Sequence, residues 1–422
     1  MRCIYPAPAR FGPAVAPFVA HCWRGQPGAA IVATFAVSAG LDPGCRSTAP
    51  GSMRMKRRYK IAGYGLLVLA IALGVLALVL SHTSPCGPAP APGADAVRMK
   101  AIVQRCYGPP AVLAYEDIEK PVPADNEVLV RVRAASVNPL DWHYLRGEPY
   151  IMRMSAGIGT PVTARLGVDF AGTVEAVGKA VTRFKPGDAV FGGKRGAFAQ
   201  YLRVPEDQSI VPKPDGVSFE QAAAVPIAAV TALQALRDKG RLEAGQKVLI
   251  NGASGGVGTF AVQIAKSMGA EVTGVCSTRN VAMVRSIGAD HVVDYTQEDF
   301  IKSGKRYDLI LDNVGNRALS DYEDVLTPTG TLVIIGGPSE DPWIGAMISP
   351  IKAKLLGPFR DHEFAFLLAD LNPRDLSLLG ELMQAGKLTA VIDRHYPLSE
   401  VPAAIAYVEE GHARGKVVID IE

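Results

Sequence analysis

The stretch VLINGASGGVGTFAVQIAK, Val248 to Lys266, decides the fold. A short apolar run leads into a glycine-rich turn and then into apolar residues at helical spacing, which predicts strand, turn and helix in immediate succession. Glycine lets a backbone approach a ligand closely, and a helix N-terminus presents free N–H groups to a pyrophosphate. The turn departs from G-x-G-x-x-G, since alanine occupies the first glycine position. We expect a dinucleotide-binding turn rather than a purely structural one, with these residues against the phosphates: Ser254, Gly255, Gly256, Val257 and Gly258.

Further strands and helix-length segments alternate around this stretch between residues 223 and 358, including EVTGVCS, DLILDNV and GTLVIIGG. This alternation predicts βαβ units and a doubly wound parallel sheet with helices on both faces. Residues 99–222 instead alternate apolar and polar in short runs, as in EVLVRVRAASV, which indicates a β-rich domain. The tail, residues 359–422, closes with GKVVIDI, a strand that we expect to pair with the β-rich domain. The predicted fold class is therefore α/β.

The end of the next strand bears on which dinucleotide is bound. Ser277 lies 19 positions past Gly258, where an acidic residue would accept hydrogen bonds from the adenosine ribose of NAD. The chain has Ser277, Thr278 and Arg279 here, and no acidic residue follows them until Asp290. Hydroxyls and an always-charged guanidinium suit a 2′-phosphate, so we expect NADP(H). The alternative makes Ser277 a helix cap and Arg279 a solvated side chain, although capping and phosphate binding are compatible.

An uncharged run precedes the soluble body. Ile61–Leu80, IAGYGLLVLAIALGVLALVL, is long enough as a helix to cross the roughly 30 Å core of a bilayer. We expect residues 53–82 to form a basic flank and an uncleaved transmembrane helix, with a cleaved signal peptide as the alternative. Because the flank MRMKRRYK lies before the helix, the positive-inside rule places the body outside the cytoplasm.

The segments on either side of that helix have the composition of connections rather than domains. Residues 83–98 are rich in Pro, Ala and Gly, as in a semi-rigid linker. Residues 1–52 form a doubtful leader without clear periodicity, ending just before a methionine that begins an ordinary basic flank. Either translation starts at Met53 or Met55, or the leader is an acid-poor transit peptide.

Charge and cysteine usage argue against several other classes of protein. The net charge of +3 is spread along the chain apart from one short basic run, so nucleic acid is not an expected partner. The cysteines contain no C-x-x-C pair, which argues against a disulfide framework and a clustered metal site. We expect unpaired thiols at all six: Cys3, Cys22, Cys45, Cys86, Cys106 and Cys276.

Six motifs carry a resemblance over Met99–Glu422. They are, in order, VLVRVRAASVNPLDW, LGVDFAGTVEAVG, KPGDAVFG, AAAVPIAAVTALQAL, GASGGVG and GADHVVDY. As a set they resemble the medium-chain dehydrogenase/reductase superfamily, and within it the zinc-free branch of quinone-oxidoreductase-like and reticulon-interacting-protein-like reductases. The resemblance implies a GroES-like catalytic domain, residues 99–222 and 359–422, interrupted by a Rossmann NADP-binding domain, residues 223–358. It also implies an active site in the cleft between the two.

The resemblance implies further cofactor contacts and an assembly. The contacts fall on Thr231, on Tyr295 beside the adenosine phosphate, and on Asn313 and Gly336 after strand ends. Ligands of α/β sheets gather at the carboxyl ends of strands, which agrees with the last three positions. Family members often dimerise through an edge of the Rossmann sheet, which GTLVIIGG would supply, so the resemblance implies a homodimer.

The zinc ligands of metal-dependent relatives are missing. Asn138 stands where those relatives have a ligating cysteine, and Val168 stands where they have a ligating histidine. Neither side chain replaces a thiolate or an imidazole around Zn²⁺, and the four-cysteine lobe that holds a structural zinc is absent as well. We therefore expect no zinc.

Without a metal, hydrogen-bond donors must meet the negative charge that builds on the acceptor oxygen during hydride transfer. Candidate donors are Asn138, Tyr144 and Tyr150. The alternative is that Asn138 holds a turn before Pro139 and that the tyrosines pack between domains. Asp141 is expected to orient the loop through backbone hydrogen bonds rather than act as an acid.

The function that fits best is a membrane-anchored, zinc-independent NADPH oxidoreductase whose small-molecule substrate is a quinone, an enone or enal, or another activated carbonyl compound. The anchor would suit a lipid-soluble acceptor. A zinc-free alcohol dehydrogenase or enoyl-thioester reductase is a second reading. A non-catalytic NADPH-binding membrane scaffold is a third, since Leu140 occupies a position expected to relay protons. The side of the membrane stays open, because the charge rule indicates the outside and NADPH indicates the cytoplasm or a matrix.

Overall fold

The computed structural model describes residues 52–89, 93, 95–337, 341–345, 348, 351–353 and 362–422. The doubtful leader, residues 1–52, therefore falls outside the described residues apart from Ser52. Two units are distinguished, residues 1–65 and residues 66–422. In the first, the described residues form the start of helix α1, Ser52–Ser81; all the contacts below lie within the second.

Helix α1 contains one stretch, Tyr59–Ser81, that is long and apolar enough to cross a membrane, judged by length and composition alone. Its side chains are almost all exposed until Leu80, which is buried. An exposed apolar helix of this length is unfavourable in water, because each apolar side chain left in solvent forfeits its transfer free energy.

The β-rich part of the chain forms one small and one large sheet. The long strand β3 forms where EVLVRVRAASV predicted one, and its burial alternates from Val130 to Ala134, while the flanking residues are mostly buried on both faces. The strands are β1 Arg98–Val103, β2 Ala114–Glu119, β3 Glu127–Val137, β4 Asp169–Val177, β5 Ala189–Gly193, β6 Tyr201–Pro205 and β7 Ile210–Pro212. The helices are α2 Pro139–Arg146, α3 Arg153–Ala156 and α4 Phe219–Ala223.

A separate six-stranded sheet is parallel throughout and has helices between its strands. Its elements are α5 Pro226–Gln234, β8 Lys247–Asn251, α6 Gly256–Ser267, β9 Glu271–Cys276, α7 Val281–Ser286, β10 His291–Asp294, β11 Tyr307–Asp312, α8 Leu319–Glu323, β12 Leu326–Ile334 and β13 Glu363–Phe366. The spatial order is β10-β9-β8-β11-β12-β13. The chain therefore adds strands outward in one direction from β8 to β10 and then in the opposite direction from β11 to β13. Such a reversal opens the crevice in which doubly wound sheets bind dinucleotides.

The tail returns to the first sheet. It contains α9 Pro373–Gln384, β14 Ile392–Pro397, α10 Val401–Glu409 and β15 Lys416–Asp420. Strand β15 pairs antiparallel with β3, with Val417 opposite Val137, and β14 pairs parallel with β15. The large sheet therefore reads β14-β15-β3-β4-β5-β7, with β6 also paired to β3.

Strand β13 changes the expected edge of the parallel sheet. It lies beyond residue 358, the end proposed for the Rossmann segment, and pairs with β12. Because β12 is also paired with β11, the GTLVIIGG strand has no free edge to offer a second copy. The expectation that GTLVIIGG supplies an edge of the sheet is therefore wrong. Among the described residues, the edge strand on this side is β13.

The expectation of unpaired thiols is also wrong for two cysteines. Cys86 and Cys106 form a disulfide, with Cα atoms 4.7 Å apart and a sequence separation of 20. Sequence spacing gave no sign of this pair, because it joins the linker after α1 to the loop after β1. Disulfides persist mainly in oxidising compartments, so the pair bears on the side of the membrane that the body occupies.

Candidate active site

The glycine turn has the predicted strand–turn–helix form. Strand β8 ends at Asn251, Gly252 takes a φ of +79°, and α6 begins at Gly256 with Gly255 at its N-cap. A Cβ on Gly258 would lie 2.1 Å from the Gly252 carbonyl oxygen, so the helix packs against the turn at a distance that only glycine allows. The first N–H groups of α6 therefore face the crevice of the sheet with no residue of their own helix to bond.

Asn280 connects this turn to the end of the second strand. Its buried Nδ2 donates hydrogen bonds to the Ser254 and Ser277 hydroxyls, at 3.1 and 3.2 Å. Ser277 precedes the short helix Thr278–Asn280, and its side chain makes no capping hydrogen bond. Sequence reasoning missed Asn280, because nothing in the local pattern separates a buried asparagine from an ordinary helix-start residue.

An acidic residue from the neighbouring strand lies beside Ser277–Arg279, the specificity turn. Asp294 ends β10 opposite Cys276 and accepts a hydrogen bond from the Thr278 hydroxyl at 2.6 Å. This hydroxyl contributes most to a pKa of Asp294 that is below its usual value. Arg279 is exposed, and its Nη2 donates to the His412 carbonyl at 2.8 Å. Asp294 comes from the neighbouring strand, so the residues that follow β9 in the sequence do not indicate it. The turn therefore brings a cationic and an acidic side chain, Arg279 and Asp294, to the end of β9.

The remaining cofactor candidates lie mainly at strand ends. Tyr295 is exposed, and its backbone N–H bonds to the Cys276 carbonyl at 3.0 Å. Asn313 donates to the Asn251 carbonyl at 2.8 Å, while its buried Oδ1 has no hydrogen-bond partner among the described residues. A Cβ on Gly336 would meet the Asn313 carbonyl oxygen at 2.1 Å. An unsatisfied acceptor beside a glycine cradle suits a bound ligand with donor groups.

Thr231 lies apart from these residues on α5. It is buried, and its hydroxyl donates to the Ile227 carbonyl one turn earlier, at 2.7 Å. The Ile227 backbone N–H in turn donates to Asp169 at 3.0 Å, so the start of α5 is tied to the β-rich sheet.

A buried polar network surrounds Asn138. Its Nδ2 donates to Asp169 at 2.9 Å, and its Oδ1 accepts from the Lys416 ammonium group at 2.6 Å. Asp169 also accepts from Ser136 at 3.0 Å and lies 3.6 Å from Lys416. Antiparallel pairing of β15 with β3 brings Lys416 here from the far end of the chain.

This network does not fit a zinc site. The Asn138 amide and the Asp169 carboxylate are engaged by Lys416, by Ser136 and by each other, and among the described residues no thiolate or imidazole joins them. Burial raises the pKa of Asp169 and lowers the pKa of Lys416. The ammonium group supplies the positive charge that the buried carboxylate requires.

Asp141 plays the positioning role expected of it. Its carboxylate accepts backbone N–H bonds from Asn138 at 2.8 Å and from Gly167 at 3.1 Å. Burial raises its pKa to about 7. The two bonds fix the start of α2 against the loop before β4, which holds Asn138 in place.

The phosphate turn and the buried network are joined directly. The Gly415 N–H donates to the Ser254 carbonyl at 2.9 Å, and the next residue is Lys416.

The two candidate tyrosines lie elsewhere in the β-rich part of the chain. The Arg195 guanidinium lies 3.7 Å from the ring centre of Tyr144. Tyr150 packs its ring edge-on to Trp343, with ring centres 5.0 Å apart.

Comparison with known proteins agrees with this architecture. Residues 124–215 match the model of an alcohol dehydrogenase GroES-like domain, and residues 287–419 match a family model described as zinc-binding dehydrogenase. The mitochondrial NAD(P)H oxidoreductase RTN4IP1 of Mus musculus is 37% identical over 333 residues, which is 70% of this chain and 82% of that protein. The trans-enoyl reductase pgmF of Aspergillus terreus is 36% identical over 319 residues, 70% of this chain and 87% of its own length.

A solved structure extends the likeness to three dimensions. The quinone oxidoreductase from Coxiella burnetii superposes with a TM-score of 0.66 and is 32% identical, covering 77% of this chain and all of its own. All three relatives are named as reductases or oxidoreductases. The chain therefore belongs to the medium-chain dehydrogenase/reductase superfamily and is an NAD(P)H oxidoreductase of that type.

Proposed function

We propose that this protein is a membrane-anchored, zinc-independent reductase that prefers NADPH and reduces a quinone, an enone or enal, or a similar activated carbonyl compound. The observation that carries the proposal is the connection among three parts. Asn280 ties the phosphate turn to the Ser277–Arg279 turn, and Gly415 ties it to the buried network of Asn138. The relative named as a quinone oxidoreductase supports the substrate class, and the one named as a trans-enoyl reductase supports an activated alkene.

Each group of residues has a separate task in this proposal. Bound NADPH supplies a hydride from its nicotinamide ring. The free N–H groups at the start of α6 hold the pyrophosphate, and Arg279 holds the 2′-phosphate. Asn138 stays fixed by Asp169 and Lys416, so its remaining amide hydrogen has a defined direction. Tyr144 and Tyr150 are the other candidate donors to the acceptor oxygen.

Replacing Arg279 by Ala is expected to weaken NADPH binding by about tenfold to a hundredfold, since a charge-assisted hydrogen bond to a phosphate contributes roughly 1.5 to 3 kcal/mol. NADH binding should change little, because NADH carries no 2′-phosphate. Nicotinamide fluorescence of the full chain in detergent measures both affinities. Arg241→Ala removes the same charge from the pair with Glu363 and serves as the matched control. Equal loss for both nucleotides, or no loss at all, would refute the assignment of Arg279 and favour recognition of a ribose by Asp294.

The orientation of the body has a separate test. The basic flank and the Cys86–Cys106 disulfide both favour the side away from the cytoplasm, so protease added to intact cells or spheroplasts should digest the body. Peptide mass spectrometry without reductant should then recover the two cysteines as one linked pair. A protected body with free thiols at both positions would assign it to the compartment that supplies NADPH.

A further inference from the structure

The end of helix α1 is held by a buried arginine of the body. Arg153, in helix α3, is 2% exposed, and its Nη1 donates to the carbonyls of Leu80 at 3.0 Å and His82 at 2.9 Å. The last carbonyls of a helix lack partners within the helix and carry partial negative charge. The Arg153 guanidinium bonds one of these carbonyls, that of Leu80, together with the His82 carbonyl just past the helix end. It also stacks on the rings of Tyr107 and Tyr150.

Two further links hold the residues just after α1. The Ser84 N–H donates to the Gly159 carbonyl at 2.9 Å, beside a parallel bridge between Thr83 and Gly159. The disulfide from Cys86 to Cys106 follows. The helix end is thus joined to the body through residues on both sides of α3 and not by a free linker.

The segment that makes these contacts carries an exposed apolar surface. We call residues 151–162 of this segment the apolar flap; its exposed members are Ile151 at 45%, Met154 at 64%, Ile158 at 56% and Val162 at 78%. Ile151 and Met154 lie in the consecutive helical turns Tyr150–Met152 and Arg153–Ala156, and Ile158 and Val162 follow after the helix ends at Gly157. All four are exposed within twelve residues, while Arg153 is buried. Grouped exposed apolar side chains of this kind usually mark a contact surface.

We propose that the apolar flap rests in the lipid bilayer at the interface where α1 leaves it. This inference rests on the proposed membrane anchor. A helix that spans a bilayer must end at its interface, and Arg153 lies within hydrogen-bond distance of that end. The flap is therefore confined to the same depth, where apolar side chains enter the acyl region while backbone polar groups remain near the headgroups.

The placement also specifies the route of the substrate. Tyr150 begins the same segment, and its N–H donates to the Pro342 carbonyl at 2.7 Å, in the chain that follows β12 of the parallel sheet. Trp343 packs on Tyr150 and is itself exposed. The lipid contact thus adjoins a candidate catalytic tyrosine, so a lipid-soluble acceptor enters from the bilayer rather than from water.

Fluorescence quenching tests the contact without reference to activity. Full-length Met154→Trp and Val122→Trp are placed in nanodiscs of ordinary or brominated phosphatidylcholine. Val122 is also apolar and is 78% exposed, and it lies between β2 and β3, outside the apolar flap. Brominated lipid should quench about half of the emission added by Met154→Trp and almost none of that added by Val122→Trp, because only the flap enters the acyl region. Equal quenching at the two positions, or none at either, would overturn the proposal.

Kinetics then test the route. The double variant Met154→Glu, Ile158→Glu should raise the KM for decylubiquinone in phosphatidylcholine vesicles about fivefold, because two charges oppose insertion of the flap. The KM for water-soluble 1,4-benzoquinone should not change, and Val122→Glu should affect neither. A parallel rise for both quinones would reject entry from the bilayer. Failure of the unmodified protein to reduce any quinone or enal would reject the proposed function, whereas the quenching result would still decide the membrane contact.

Discussion

Lys416→Met is expected to lower the free energy of unfolding by about 3 to 5 kcal/mol, because removing one partner of a buried ion pair leaves the other charge uncompensated. Asp169 would keep its hydrogen bonds from Ser136, Asn138 and the Ile227 N–H but lose the only ammonium group within 4 Å among the described residues. Urea unfolding of the full chain in detergent measures the loss. Lys185→Met is the matched control, since Lys185 pairs with Asp188 at the surface. An exposed pair of this kind contributes about 1 kcal/mol or less.

The pH dependence gives this prediction a sign. Burial already raises the pKa of Asp169, and loss of the ammonium group raises it further. When a carboxyl group has a higher pKa in the folded state than in the unfolded state, the folded protein is most stable with that group protonated. The protein then loses stability as the pH rises from the unfolded-state pKa to the folded-state pKa. The defect of Lys416→Met should therefore be larger at pH 8 than at pH 5.

A second substitution separates the pair from its surroundings. Asp169→Asn combined with Lys416→Met should cost less than the sum of the two single changes, because neither charge is then left alone. Strict additivity, or a Lys416→Met loss no larger than that of Lys185→Met, would show that the two groups do not stabilise one another.

The fold could be predicted where the pattern is local. The apolar run, glycine turn and helical spacing around Gly255 and Gly258 produced the observed β8–turn–α6 unit, since each step depends on neighbours within a few residues. The alternation in β3 and the closing strand β15 were predicted for the same reason. The family resemblance added the order of the two sheets, which local periodicity alone does not determine.

The rest of the site depends on contacts between distant parts of the chain. The Lys416–Asn138 hydrogen bond joins residues 278 positions apart, and the Cys86–Cys106 pair joins a linker to a loop. Asp294 reaches the specificity turn only because β10 lies beside β9. No periodic pattern marks such residues, so their roles emerge only once the sheets are assembled.

Gly258→Ala is expected to abolish most NADPH binding, with an affinity loss of about a hundredfold or more. The added Cβ would lie 2.1 Å from the Gly252 carbonyl oxygen and 2.8 Å from the Ala253 Cα, and both contacts are with backbone. No rotation of a flexible side chain relieves them, so α6 must move away from β8. That movement takes the proposed pyrophosphate donors out of position, and overpacking of this kind costs about 1 to 3 kcal/mol of stability.

Gly255→Ala separates loss of the ligand from loss of the fold. Gly255 has an ordinary φ of −85°, and its added Cβ would meet nothing closer than the Gly252 carbonyl oxygen at 3.5 Å. The melting temperature of the Gly255→Ala variant should therefore match that of the unmodified protein, while NADPH binding weakens because a methyl group faces the phosphates. Thermal unfolding and nicotinamide fluorescence, measured on both variants, distinguish the two effects. If Gly258→Ala remains folded and binds NADPH normally, the dinucleotide does not use this turn, and the free N–H groups of α6 have another function.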